Sequence, residues 1–207
     1  MSKRRSSKSK QTKDSYAAKQ LYAIAAPDDL EIGNTAPGSQ IGETLAEEPE
    51  QLIGRVLEVP LSDLTGNFSL IYVKLQFQIT DVVGKTCKTK FKGHSYAMDY
   101  LRSLVKRRRT RVDAIDNIIT ADGVQMRITT TAFTTHRAKS SIKYAIRKII
   151  ANFIRERSRA LNFAEMTTQI LKGTLNSELY DLCKNIFPLS NVEVQKSKVV
   201  TKWVDAS

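Results

Sequence analysis

Residues 101–113 read LRSLVKRRRTRVD and hold six basic side chains: Arg102, Lys106, Arg107, Arg108, Arg109 and Arg111. Cations at this density neutralise phosphates and release counterions, which gives salt-dependent affinity for a polyanion with little sequence preference. Arginine predominates, and its planar fork grips phosphate bidentately or stacks on a base. Crowded like charges repel, so an anionic partner is expected to offset the cost. A second basic run holds Arg137, Lys139, Lys143, Arg147 and Lys148, and a third holds Lys3, Arg4, Arg5, Lys8, Lys10 and Lys13. Stretches 1–20, 99–111 and 137–159 carry +6, +5 and +7 of a total of +12, so the rest of the 207 residues is net −6. Charge confined in this way is the footprint of a nucleic-acid partner.

Other chemistry finds little support. The chain has no phosphate-binding P-loop, no GxGxxG after a strand and no GxSxG elbow. Its two histidines, His94 and His136, stand 42 positions apart and read as surface or RNA-facing imidazoles. Asp113, Asp116 and Asp122 could hold magnesium for a nuclease. However, Asp122 belongs to an Asp-Gly turn, and a separation of three puts Asp113 and Asp116 on opposite faces of a strand. Cys87 and Cys183 form no CxxC pair and read as buried free thiols in a reducing, cytoplasmic compartment. No catalytic residue, metal or cofactor is expected. With no apolar run near the ~18 residues of a membrane span, no membrane partner is expected either. Nor is a homo-oligomer.

The elements that position these charges follow from hydrophobic period. In IYVKLQFQIT (71–80), Ile71, Val73, Leu75, Phe77 and Ile79 alternate with polar residues, which is a strand with one buried face. VGKTCKTKF (83–91) reads as its hairpin partner. LIGRVLEVPL (52–61), VDAIDNIIT (112–120), VQMRITTTAF (124–133) and NVEVQKSKVV (191–200) read as further strands, with DLTGN as a turn. A helix is expected over 95–106, N-capped by Ser95. From residue 138 a long helix carries the stripe Ile142, Ala145, Ile146, Ile149, Ile150, Phe153 and Ile154 opposite a cationic ridge. Asn162 with Glu165 marks a capping box for a second helix, with Gly173 at its C-terminus. Leu175, Leu179, Leu182, Cys183 and Ile186 mark a third, ended by Pro188. Phe91, Tyr96 and Tyr100 flank the arginine run. Tyr144 shares the second basic helix, where packing is expected ahead of base stacking.

The fold class is therefore α+β: an antiparallel, β-barrel-like core with one inserted helix and a helical C-terminal portion. Residues 1–20 read as a basic tail, disordered when free and retained in the mature protein. Residues 21–51 read as an irregular N-terminal arm, 52–200 as a single RNA-binding α+β domain, and 201–207 as a C-terminal tail containing Trp203. A free RNA- or DNA-binding regulator using the same patches is the alternative to a fixed ribonucleoprotein component.

Five segments occur in a telling order: IGETLAEEPEQLIGRVLEVPLSDLTGNFS, KFKGHSYAMDYLRSLVKRRRT, TADGVQMRITTTAFT, AIRKII and IFPLSNVEVQKSKV. Together they resemble the archaeal and eukaryotic small-subunit ribosomal proteins of the S3Ae type, over about residues 16–200. The short length and the acidic GETLAEEPE are similar to the archaeal branch. The resemblance implies a β-barrel core with flanking helices and a role without catalysis. It implies binding to small-subunit ribosomal RNA at the platform, beside other ribosomal proteins, with messenger RNA near its exit as a further contact. By position, Arg102, Lys106, Arg107, Arg108 and Arg109 match the family's basic helix end, and Arg137 and Lys139 match its second basic segment. One departure is Leu21-Tyr22, ahead of Ala26-Pro27, where the family tends to have Trp-Tyr.

Overall fold

The computed structural model describes residues 19–27 and 36–201; the basic tail through Lys13 and the C-terminal Trp203 lie outside the described residues. Strand β1 is Gln20–Ala25, β2 Gln40–Ala46, β3 Val56–Pro60, β4 Val73–Val83, β5 Thr86–Tyr96, β6 Arg111–Ile119, β7 Gln125–Thr134 and β8 Leu189–Val199. Helix α1 is Leu61–Thr65, α2 Met98–Leu104, α3 Ser140–Ala160, α4 Phe163–Lys172 and α5 Thr174–Lys184.

Period two builds β4 as expected: Val73, Leu75, Phe77 and Ile79 are buried. Ile71 departs from the pattern. It caps a short 3-10 turn ahead of the strand and is exposed. The strands form one sheet in the order β2-β1-β5-β8-β7-β6, with β4 also paired to β5 and β3 to β4. Every pairing is antiparallel except a short parallel contact of β1 with β5 at Ala23–Ile24.

The barrel-like closure expected from edge protection is not confirmed. Among the described residues β2, β3 and β6 each pair on one side only, so the sheet is open. Edge β6 is protected by another route. Helix α3 lies along it, with Arg147 Nε donating to the Asp113 carbonyl at 2.9 Å and Arg155 Nη2 to Asp116 Oδ1 at 3.1 Å.

The arm expected to be irregular contains β1 and β2. Tyr22, Ile24 and Ala46 are buried with Leu52, Ile79 and Cys87 in a small core. Burial of these apolar side chains, each contributing up to ~1.5–3 kcal/mol, overrides the weak strand signal of a segment punctuated by proline and glycine. Tyr22 therefore packs inward, and it is Leu21 that is exposed.

Ser95 is no helix cap. Pairing of Val73 with Tyr96 carries β5 through that position, and α2 begins after Ala97, whose N–H donates to the Tyr72 carbonyl at 2.7 Å. DLTGN is partly helical: α1 runs through Thr65 and ends at left-handed Gly66, φ 72°. The later helices follow the sequence reading. Glu165 accepts the Asn162 N–H at 3.2 Å, the return half of the capping box, and Gly173 takes φ 76° between α4 and α5. The main core packs Ile146, Ile150 and Ile154 of α3 and Leu175, Leu179 and Cys183 of α5 on the inner faces of β6, β7 and β8. Both cysteines are free and buried, and burial pushes the Cys183 thiol up to about 11.

Candidate nucleic-acid interface

Helix α2 unwinds after Leu104, and residues 106–109 then form a tight turn in which the Arg109 N–H donates to the Lys106 carbonyl at 3.3 Å. Arg108 adopts φ 62°, and no other non-glycine among the described residues has a positive φ. Left-handed geometry costs an L-residue roughly 1–2 kcal/mol. The chain thus bears local strain to present Arg107 and Arg108 outward. Arg109 is held from below, donating to Ser190 Oγ at 2.9 Å.

Thr110 then joins the two basic runs of the sequence. Its N–H donates to Thr134 Oγ1 at 2.9 Å, its carbonyl accepts the Thr134 N–H at 3.0 Å, and its hydroxyl accepts the Ala138 N–H at 3.0 Å. This latch fixes residues 134–138 against the start of β6. Arg108, Arg109, Thr110, Arg111, His136 and Arg137 line one open concavity of about 770 Å³. Lys139 caps the start of α3, and Arg147 reaches β6 one turn beyond Lys143.

Four arginines face this concavity and no carboxylate lines it. Arg111 is the one among them with an ion pair, its Nε 2.8 Å from Asp113 Oδ1, and it also donates to Gln195 Oε1 at 2.9 Å. The other ion pairs among the described residues are Arg155–Asp116 and Arg157–Glu178. Arg102, Lys106, Arg107, Arg108, Arg109, Arg137, Lys139, Lys143, Arg147 and Lys148 therefore lack an ion pair within the described chain. Of these, Arg102 and Lys148 do not line the concavity.

The aspartates behave as the strand pattern requires. Asp113 faces outward and Asp116 inward, while Asp122 Oδ2 accepts the Phe163 N–H at 2.8 Å at the start of α4. No cluster able to hold a metal exists among the described residues. His136 is exposed as expected, but His94 is 1% exposed and belongs to the core.

The aromatic expectations change most. Phe91 is buried. Tyr72 and Tyr100 stack on each other at 3.8 Å, with Tyr96 edge-on to both. The hydroxyls of Tyr96 and Tyr100 donate to Glu193, which also accepts from the side-chain amides of Asn176 and Asn191. Glu193 lines a cleft of about 410 Å³, and burial raises its carboxyl above the ordinary range. These tyrosines serve the fold. Tyr144 shows the reverse: expected to pack, it is 69% exposed on α3.

Comparisons with known proteins agree with this geometry. A family model described as the ribosomal S3Ae family matches residues 7–202. A protein of Desulfurococcus amylolyticus is 37% identical over 188 residues, covering 91% of this chain and 85% of its own. One from Methanobrevibacter smithii is 38% identical over 191 residues, covering 92% and 96%. One from Methanothrix thermoacetophila is 40% identical over 182 residues, covering 88% and 83%. Each of the three is named small ribosomal subunit protein eS1.

Proposed function

The chain belongs to the ribosomal S3Ae family, and from that premise we propose that it is a structural component of the small ribosomal subunit. It is not an enzyme, since the family is one of ribosomal structural proteins. Its partner is small-subunit ribosomal RNA, held by shape and backbone contacts. The observation that carries this reading is the concavity in which Arg108, Arg109, Arg111 and Arg137 converge without a facing carboxylate. Phosphates of folded RNA supply the missing anions and offset the repulsion of the arginine turn.

The basic tail, with Lys3, Arg4, Arg5, Lys8, Lys10 and Lys13, extends the same electrostatic contact, and the α+β body from residue 52 to 200 provides the rigid support. The protein works on cytoplasmic ribosomes at the platform, beside other small-subunit proteins and the messenger exit. Cosedimentation tests the assignment. The native protein should travel with small subunits through gradients at moderate salt and leave them as salt rises. Free protein at the top of a moderate-salt gradient would remove the reading.

A further inference from the structure

The face of the sheet turned away from α3 and α5 is bare, and its exposed charge is positive. Strand register places the residues. Arg127 of β7 stands directly opposite Lys198 of β8, which stands opposite Gly93 of β5. One row along, Thr129 faces Lys196, Lys196 faces Ser95, and Ser95 faces Lys74 of β4. Arg127, Lys196, Lys198 and Lys74 are all exposed. Directly opposed residues have their Cβ atoms about 4.5–5.5 Å apart, and like charges so placed destabilise a sheet. The carboxylates that share these strands' outer face are already engaged: Asp113 by Arg111 and Thr131, and Glu58 by Gln76. Nothing within the described chain neutralises the Arg127–Lys198 pair.

Beside that pair lies a concavity of about 240 Å³ lined by Asn117, Ile119, Gln125, Arg127 and Val200, among others. Arg127 Nε donates to Asn117 Oδ1 at 2.9 Å, which holds the guanidinium plane across the pocket's flank. Ile119 is 57% exposed and Ile115, on the same strand, 66%. Amide groups, an apolar floor and an oriented guanidinium suit an unstacked nucleobase, which binds by stacking and by hydrogen bonds to its edge.

We propose that this sheet face is a second RNA contact, separate from the arginine turn, taking an unpaired strand whose phosphates lie on Lys198, Lys196 and Lys74 and one of whose bases enters the Arg127 pocket. The proposal rests on the reading that the chain binds ribosomal RNA. RNA is favoured over a protein neighbour because lysine is depleted at protein interfaces, and here it supplies three of four charges.

The test uses the full chain and a fluorescent single-stranded oligoribonucleotide, read by anisotropy across a salt series. Arg127→Glu with Lys198→Glu should lower affinity at least about tenfold. It should also flatten the slope of log affinity on log salt by about 1.4, two contacts at ~0.7 each. Wild-type affinity in this variant, with Arg107→Glu/Arg108→Glu weakened, overturns the sheet-face proposal and leaves ribosomal RNA binding standing. Undiminished binding by both variants overturns the two together. A sheet variant that binds the oligoribonucleotide normally but is missing from small subunits identifies a protein-docking face, which also overturns the proposal. If charge reversal lowers the melting point, Arg127→Gln with Lys198→Gln replaces it: weakened binding by that folded variant supports the proposal, and wild-type binding overturns it.

Discussion

His94 Nε2 lies 2.9 Å from the Val194 carbonyl oxygen. A carbonyl only accepts, so Nε2 carries the proton, and Nδ1 accepts from Ser197 Oγ at 2.6 Å. Ser197 Oγ in turn accepts the His94 N–H at 3.2 Å. The ring is neutral and fully enclosed, and burial pushes its pKa down to about 4, against the weaker opposing pull of the Val194 carbonyl. Stability from this arrangement is complete above the unfolded pKa of ~6.5 and is lost as pH falls toward 4, amounting to roughly 3 kcal/mol. Thermal melts of the wild type should drop more steeply than those of His94→Gln between pH 6.5 and 4. An NMR titration reads the ring directly, and an imidazole protonating near 6.5 in the folded protein contradicts the assignment.

At the arginine turn, strain and charge can be separated at one position. Arg108→Gly and Arg108→Ala remove the same cation, but only glycine relieves the φ of 62°. Denaturant unfolding should place the glycine variant about 1 kcal/mol above the alanine variant. Both should weaken binding to small-subunit ribosomal RNA to a similar extent. Equal stabilities for the two variants would mean that Arg108 does not hold the left-handed conformation in solution.

Charge reversal tests whether the turn binds without supporting the fold. Arg107 and Arg108 are exposed and make no ion pair among the described residues, whereas Arg109 is tied to Ser190 and is left intact. Arg107→Glu with Arg108→Glu should leave the circular-dichroism melt within about 0.5 kcal/mol of wild type. It should also block incorporation into small subunits. A collapsed melt would make these arginines structural.

The strands and helices with long, regular periods were legible in the sequence: β4, β6, β7 and the α3 stripe needed only alternation or 3.6-residue spacing. So were the Asn162–Glu165 box and Gly173, because capping chemistry is local. The β1–β2 pair was hidden because each strand is short and its stability comes from burying Tyr22 and Ile24 against Cys87 and Ile79, contacts remote in the chain. His94 was misread for the same reason: its partners, Val194 and Ser197, lie a hundred residues away. The two basic runs were visible as runs, but their meeting at Thr110 depends on the register of β6 with β7. The cations of the bare sheet face never form a run. They are single residues on β4, β7 and β8, brought together by pairing alone.

That dependence on pairing is concentrated at Gly93. The contact of β5 with β8 spans only Gly93–Ser95 and Lys196–Lys198, yet it joins β1–β5 to β6–β8. A Cβ on Gly93 would sit 2.2 Å from the Ser197 carbonyl oxygen and 3.1 Å from the Lys198 Cα. Both obstacles are backbone and cannot swing aside, so the strands must separate. Gly93→Ala should cost at least about 2 kcal/mol. Hydrogen exchange gives the more specific readout. Protection should fall first at Ser95 and Ser197, while β6 paired with β7 keeps its amides. Because the same separation pulls Lys198 away from Lys74, the variant should also lose affinity for single-stranded RNA despite retaining every cation. Full affinity alongside exposed amides at Ser95 and Ser197 would show that the two halves of the sheet need not stay in register to bind.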